Sequence, residues 1–343
     1  MLEKLTRLFF GSSREPFPDF LRGLAVILMI QIHITENLLA SEPSNYLFER
    51  WSYFLGGIPA APIFIFLMGY FQAKSKLSLI DELKRGVKLF LLGLVLNLML
   101  NLSLIYNYFT NQIDVDILSY IFGVDILFFA GLSYMVLAVL KRVIHNNYIL
   151  IFLVVIIHLI NYYFLEIEIE SQSLKYILSF FFRVSYWSYF PLISWITFPL
   201  MGVFLARTAL LEKILNKKFS NFFWIIYLIV FFTTLNYGQN NSIDLANYYS
   251  MKFDFFLYSL FLMFGWIKLW KAIFEKFSDN MFSGYLVWIG RNVTAVYFFQ
   301  WVIIGNITTY LYKSLPLNSS LIVFGIVLFS VSLCTYLYHL SRS

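Results

Sequence analysis

Charge is scarce in this sequence. Only 13% of its 343 residues are Asp, Glu, Lys or Arg, while 60% are hydrophobic and 21% aromatic. A water-soluble domain of this length needs far more polar surface, so the apolar excess must face lipid. Cysteine is nearly missing. Cys334 stands alone inside the last apolar run, which excludes an intrachain disulfide and says nothing about redox compartment. The four histidines, at 33, 145, 158 and 339, show no metal-ligand spacing, so no metal is expected. Glycine-rich phosphate loops, dinucleotide fingerprints and a nucleophile elbow are all missing. Residues 1–17 lack the long apolar core and small-residue cleavage site of a secretory signal. They read as a cytoplasmic lead-in lying on the membrane surface. No loop is long enough for an appended soluble domain, and there is no convincing internal repeat, so 18–343 reads as one transmembrane domain.

What is present is a series of apolar runs. Segments at 20–40, 52–72, 86–106, 118–140, 148–165, 187–206, 220–236, 252–274, 285–305 and 319–340 each have spanning length. This is the pattern of an all-α polytopic membrane bundle of about ten transmembrane helices. The net charge of +6 comes from short basic clusters between the runs, which argues against a nucleic-acid partner. With the N-terminus inside, 20 of the 25 basic residues fall on the cytoplasmic side, and only Arg50, Lys175, Arg183, Lys252 and Lys313 fall outside. That bias places both termini in the cytoplasm. The aromatic segment 170–186 is too polar to span and reads as an interfacial helix.

Ionisable groups inside spans are expensive and are therefore functional candidates. In "DFLRGLAVILMIQIHITENLL" Arg22 and His33 lie eleven residues apart. That is three helical turns with about 20° left over and about 16.5 Å of rise, so they share a face. Glu36 and Asn37 follow His33 on the same face. A buried histidine with a carboxylate neighbour can act as a general base, or it can simply hydrogen-bond between helices. "KRGVK" (Lys84, Arg85, Lys88) and Arg291 in "WIGRN" sit at cytoplasmic span ends, suited either to gripping phosphates or to ordinary membrane anchoring. The remaining intramembrane polar residues are Asn97, Asn101, Asp125, His158, Asn292 and Gln300. Asp125 is the costliest, and its partner cannot be read from sequence. His158 lacks polar company and reads as a packing or hydrogen-bonding residue. "GGIPAAPIFIFLMGYFQAKSK" reads as close helix packing.

These stretches resemble a family. "DFLRGLAVILMIQIH" resembles the arginine–ten residues–histidine first helix of the acyltransferase-3 branch of transmembrane acyltransferases. "APIFIFLMGY", "LKRGVKLFLLGLVLN", "VDILFFAGLSYMVLAVL", "YFPLISWITFPLMGVFLAR" and "WIGRNVTAVYFFQW" are closer, in their order, to the heparan-alpha-glucosaminide N-acetyltransferase-like branch. Two departures stand out. Gln300 occupies a position where the closing motif often has histidine, and segment 41–57 lacks the histidine of lysosomal members.

The resemblance implies a cytoplasmic acetyl-CoA donor and a sugar or glycan acceptor of glucosamine type on the outer side. His33 would be the base, with Glu36 and Asp125 assisting. Arg22, Arg85, Lys88, Arg291 and Asn292 would hold the CoA, and Asn37, Asn101 and Gln300 would line the acceptor or oxyanion site. Two alternatives stay open: O-acylation of a cell-surface polysaccharide, and a proton-coupled transporter or flippase relaying through His33, Glu36 and Asp125. Membrane lipid is an expected neighbour, homo-oligomerisation is left open, and the composition suits a bacterial cytoplasmic membrane.

Overall fold

The computed structural model describes residues 15–164, 167–217 and 221–341. The proposed surface-lying lead-in therefore falls, over residues 1–14, outside the described residues, as do Glu166 and Lys218. In chain order the helices are α1 (Pro16–Asn37), α2 (Tyr46–Leu55), α3 (Ala61–Lys74), α4 (Leu79–Leu100), α5 (Leu102–Phe109), α6 (Ile117–Ile121), α7 (Ile126–Val143), α8 (Asn147–Phe164) and α9 (Gln172–Leu178). They continue with α10 (Leu192–Trp195), α11 (Thr197–Thr208), α12 (Leu210–Asn216), α13 (Asn221–Ile243), α14 (Leu245–Ser250), α15 (Phe253–Phe277), α16 (Met281–Arg291), α17 (Val293–Leu311) and α18 (Leu317–Leu340). A π-helical turn, Gly56–Ala60, joins α2 to α3. Among the described residues, β pairing is limited to the isolated bridges Leu39–Leu315 and Val124–Ser188.

The chain is an all-α polytopic helical bundle. Among the described residues, seven helices are long and apolar enough to cross a membrane, or ten if three bent pairs each make one span. Those bends depart from the straight segments that hydropathy suggests. The α4–α5 pair bends by 56°, α11–α12 by 78° and α16–α17 by 85°. Two of the bends share a device. Asn101 Nδ2 donates to the Asn97 carbonyl at 2.9 Å, and Asn292 Nδ2 donates to the Trp288 carbonyl at 2.9 Å. In each case the amide of the asparagine at the break bonds the carbonyl four residues back. The third bend falls at Ala209, whose φ of 51° is left-handed and ends the helical run. The expected interfacial helix over 170–186 is shorter than its aromatic pattern suggests, since only α9 forms.

The chain folds as two compact units. The first contains the described residues up to Phe64, Phe222–Ile243, and those from Ser259 onward. Its centre is α1, which buries Phe20, Leu21, Val26, Ile30 and Ile34. Around it pack α2, the π turn, α16, α17 and α18. In contrast, only 6% of the apolar window of α13 is buried inside the chain, which leaves that helix to lipid. The α1–α16 contact is backbone to backbone. A Cβ on Gly23 would lie 1.9 Å from the Leu286 carbonyl oxygen, and one on Gly290 would lie 1.7 Å from that of Asp19. This register, 23 to 286 and 19 to 290, makes the two helices antiparallel.

The second unit comprises Ile65–Asn221 and Asp244–Tyr258. Its main contact is α4 against α7. At the end of this pair the Glu82 carboxylate is fully buried, with Lys141 Nζ and Arg142 Nη1 each at 2.6 Å.

Candidate active site

The first unit gathers two groups of polar side chains along α1. At its start, Asp19 is 1% exposed and accepts a hydrogen bond from Arg22 Nη1 at 2.9 Å on Oδ1. Its Oδ2 faces Arg291 Nε at 3.6 Å. The backbone contact between Gly290 and Asp19 is what brings Arg291, the next residue, to that carboxylate. Two guanidiniums therefore flank one carboxylate at a largely buried position, a donor set of the kind that binds a phosphate.

Three turns further along α1 lies His33. Its Nδ1 is buried, has no hydrogen-bond partner among the described residues, and stands 3.9 Å from Glu36 Oε2. The imidazole rests against the Trp301 indole, with ring centroids 4.1 Å apart. Asn37 Nδ2 donates to the His33 carbonyl at 2.8 Å and so stays on the helix. The chain after α1 is pinned to the α17–α18 connection, since Lys313 N donates to the Asn37 carbonyl at 2.9 Å and Leu315 N to that of Leu38 at 2.9 Å. On the next face, Ser52 Oγ donates to Thr35 Oγ1 at 2.7 Å, and Gln31 Nε2 reaches both hydroxyls. These bonds tie α2 to the stretch of α1 that carries the histidine.

Beyond this lies a polar rim that the sequence did not single out. Arg50 Nε donates to Gln239 Oε1 at 3.0 Å, its Nη1 to the Tyr46 hydroxyl at 2.7 Å, and its Nη2 to Asn240 Oδ1 at 3.2 Å. The Tyr53 hydroxyl lies in electrostatic range of both Glu36 and Glu49. Arg50 had counted only as an outer basic residue, and no spacing in the sequence connects it to α13. Asp19 was legible in principle, because it stands one turn before Arg22. Trp301 was not.

The other expected site residues are placed as follows. Asn292 sits at the α16–α17 bend, with its side-chain amide on Trp288. Gln300 belongs to the buried stripe of α17 formed by Val296, Tyr297, Gln300 and Ile304. It is 0% exposed, and neither Oε1 nor Nε2 has a partner among the described residues. Arg85, Lys88, Asn101 and Asp125 belong to the second unit. There Arg85 lies over the Tyr134 ring at 5.2 Å and Lys88 is exposed. Asn101 Nδ2 bonds main-chain carbonyls of Asn97 and Tyr120. Asp125 Oδ1 caps α7 by accepting from Leu127 N at 3.0 Å and Phe128 N at 3.1 Å, and its buried Oδ2 has no partner among the described residues. Among the described residues no group of three or more His, Cys, Asp or Glu side chains could hold a metal ion.

A family model described as heparan-alpha-glucosaminide N-acetyltransferase, catalytic, matches residues 14–235, which is about two thirds of the chain. The chain belongs to this family. No curated protein and no solved structure matches it. Membership in the heparan-alpha-glucosaminide N-acetyltransferase family makes the chain an integral membrane acetyltransferase. The family in general takes its acetyl group from acetyl-CoA. The match covers Asp19, Arg22, His33 and Glu36, while Arg291, Asn292, Gln300 and Trp301 lie beyond it.

Proposed function

We propose that the protein transfers an acetyl group from cytoplasmic acetyl-CoA to the amine of a glucosamine-like sugar on the outer side of a bacterial cytoplasmic membrane. His33 is the general base. One observation carries this reading: a buried, unpartnered imidazole nitrogen stands 3.9 Å from a carboxylate, on the same face of α1 as Arg22.

The chemistry follows from that layout. Arg22 and Arg291 hold phosphates of CoA, with Asp19 positioning both guanidiniums. The separation along α1, about 16.5 Å from Arg22 to His33, suits the extended pantetheine arm. An acceptor amine must be neutral to attack a thioester. His33 takes its proton as the nitrogen bonds to the acetyl carbon, and then returns that proton to the departing CoA thiolate. The Glu36 carboxylate stabilises the imidazolium between these steps. The rim of Arg50, Asn240, Gln239 and Tyr46 offers the donors and acceptors that sugar hydroxyls require. Gln300 is the candidate oxyanion donor in this scheme.

The test is CoA-thiol release by purified protein given acetyl-CoA and glucosamine, comparing wild type with folded His33→Ala. Release that needs both the sugar and His33 supports the reading. Acetyl-CoA binding without sugar-dependent release points to a different acceptor, such as a polysaccharide hydroxyl. Failure to bind acetyl-CoA overturns it.

A further inference from the structure

The second unit contains a cavity of about 390 Å³ between the C-terminal part of α8 and the start of α15. It is lined by Val155, His158, Leu159, Tyr162, Lys252 and Phe253, among others. Two polar side chains on this part of α8 are deeply buried, and they differ sharply. Asn161 is satisfied at both ends, since its Nδ2 donates to the Ser250 carbonyl at 2.8 Å and its Oδ1 accepts from Ser194 Oγ at 2.8 Å. His158 is 5% exposed, and neither ring nitrogen has a partner among the described residues. Its ring packs against Phe253 and Phe256, with centroids 5.2 and 4.6 Å away. A buried imidazole with two unmet hydrogen-bonding positions is costly in an apolar setting unless something occupies the cavity beside it.

The surroundings specify that occupant. The walls are largely aliphatic and aromatic, and α8 buries only 22% of its apolar window inside the chain, so the groove belongs to a lipid-facing helix. His158 lies six residues before the end of α8 at Phe164. That is about 9 Å of rise, within reach of the ester groups of a lipid whose headgroup lies near that end of the helix. Lys252, immediately before the first residue of α15, supplies a cation at a helix N-terminus, where the helix dipole favours an anion. The Asp254 carboxylate on the same rim disfavours a headgroup of net negative charge.

We propose that this cavity is a specific site for a zwitterionic glycerophospholipid. An imidazole N–H of His158 donates to an ester carbonyl of the lipid, Lys252 holds its phosphate, and an acyl chain runs along Val155, Leu159 and Phe253. The site shares no residue with the acetyl-transfer machinery, and the proposal stands whether or not that reading holds.

Native mass spectrometry of the full chain, released from detergent, tests it with two probes. One is dioleoylphosphatidylethanolamine. The other is its dialkyl-ether analogue, which keeps the phosphate and both chains but has no ester carbonyl. Wild type is expected to retain one diester molecule about tenfold more tightly than the diether, the worth of one buried hydrogen bond. His158→Phe preserves the aromatic packing and should erase that preference while leaving diether binding unchanged. His158→Gln keeps an N–H and should restore part of it, and Lys252→Ala should weaken both lipids. Equal retention of diester and diether by wild type overturns the proposal without reliance on any variant. So does a His158→Phe protein, with unchanged melting temperature, that still prefers the diester. Retention of both lipids only at the level of the annular background overturns it too.

Discussion

His33 Nδ1 and Glu36 Oε2 stand 3.9 Å apart on one face of α1, beyond hydrogen-bond length but close enough to couple electrostatically. A carboxylate so placed stabilises the protonated ring once it has accepted a proton, without locking the neutral ring beforehand. His33→Gln should therefore lower acetyl transfer by about 10²–10⁴-fold at unchanged KM for acetyl-CoA, the range for a lost general base. Glu36→Gln should lower it less, by about tenfold. Steady-state kinetics on folded variants checks both. A His33→Gln enzyme with half of wild-type kcat would remove His33 from the chemistry.

The Asp19–Arg22–Arg291 group yields a second prediction. Arg291→Gln removes one of two guanidiniums while Asp19 still engages Arg22 at 2.9 Å. KM for acetyl-CoA should rise by about 10–100-fold, the loss of one charge-assisted hydrogen bond, with kcat largely preserved. Dephospho-acetyl-CoA separates the phosphates. If the pair grips the 3′-phosphate, wild type discriminates against the dephospho donor and Arg291→Gln does not. Equal KM values for all four combinations would place CoA elsewhere.

How much of this was legible in the sequence depends on the range of the interaction. Hydropathy reveals the ten apolar segments because each needs only its own residues, and helical spacing alone puts Arg22, His33 and Glu36 on one face of α1. The bends were not legible. Asn101 and Asn292 break their helices without proline or a glycine pair, and Ala209 takes a left-handed φ of 51° that its side chain does not favour. Contacts between segments were also hidden. "DFLR" shows Asp19 beside Arg22, but nothing local says that Gly290 brings Arg291 to the same carboxylate. Lys141 and Arg142 count in the sequence only among the cytoplasmic basic residues, yet both bind the buried Glu82.

That buried ion group gives a stability prediction. Glu82→Gln leaves Lys141 and Arg142 facing a neutral amide at a site where Glu82 is 0% exposed. Breaking a buried pair from one side costs about 3–5 kcal/mol. Thermal melting in detergent should show a fall of several degrees. An unchanged melting temperature would mean that the two cations reach water once the carboxylate is gone.

Gly290 should be intolerant of any side chain. A Cβ there falls 1.7 Å from the Asp19 carbonyl oxygen and 2.9 Å from Gly23 N, both backbone atoms that cannot step aside. Gly290→Ala should separate α1 from α16, lower the melting temperature and, by moving Arg291, raise KM for acetyl-CoA. Gly325→Ala is the control, because a Cβ at 325 meets nothing within 4 Å. It should be neutral or stabilising by up to about 1 kcal/mol, from helix propensity alone.

Gln300 allows stability and function to be set against each other. Its amide is fully buried in an otherwise apolar stripe of α17, and neither polar atom has a partner among the described residues. An unsatisfied buried amide costs about 1–3 kcal/mol, so Gln300→Leu, of similar volume, should raise the melting temperature. If the amide steadies the oxyanion of acetyl transfer, the same variant should lose about 10²–10³ in kcat with little change in KM. Gain of stability with loss of kcat would mark Gln300 as held in place for catalysis. A rise in melting temperature with full activity would instead assign the cost to packing, and a fall would mean that the amide has partners once substrate-free protein relaxes.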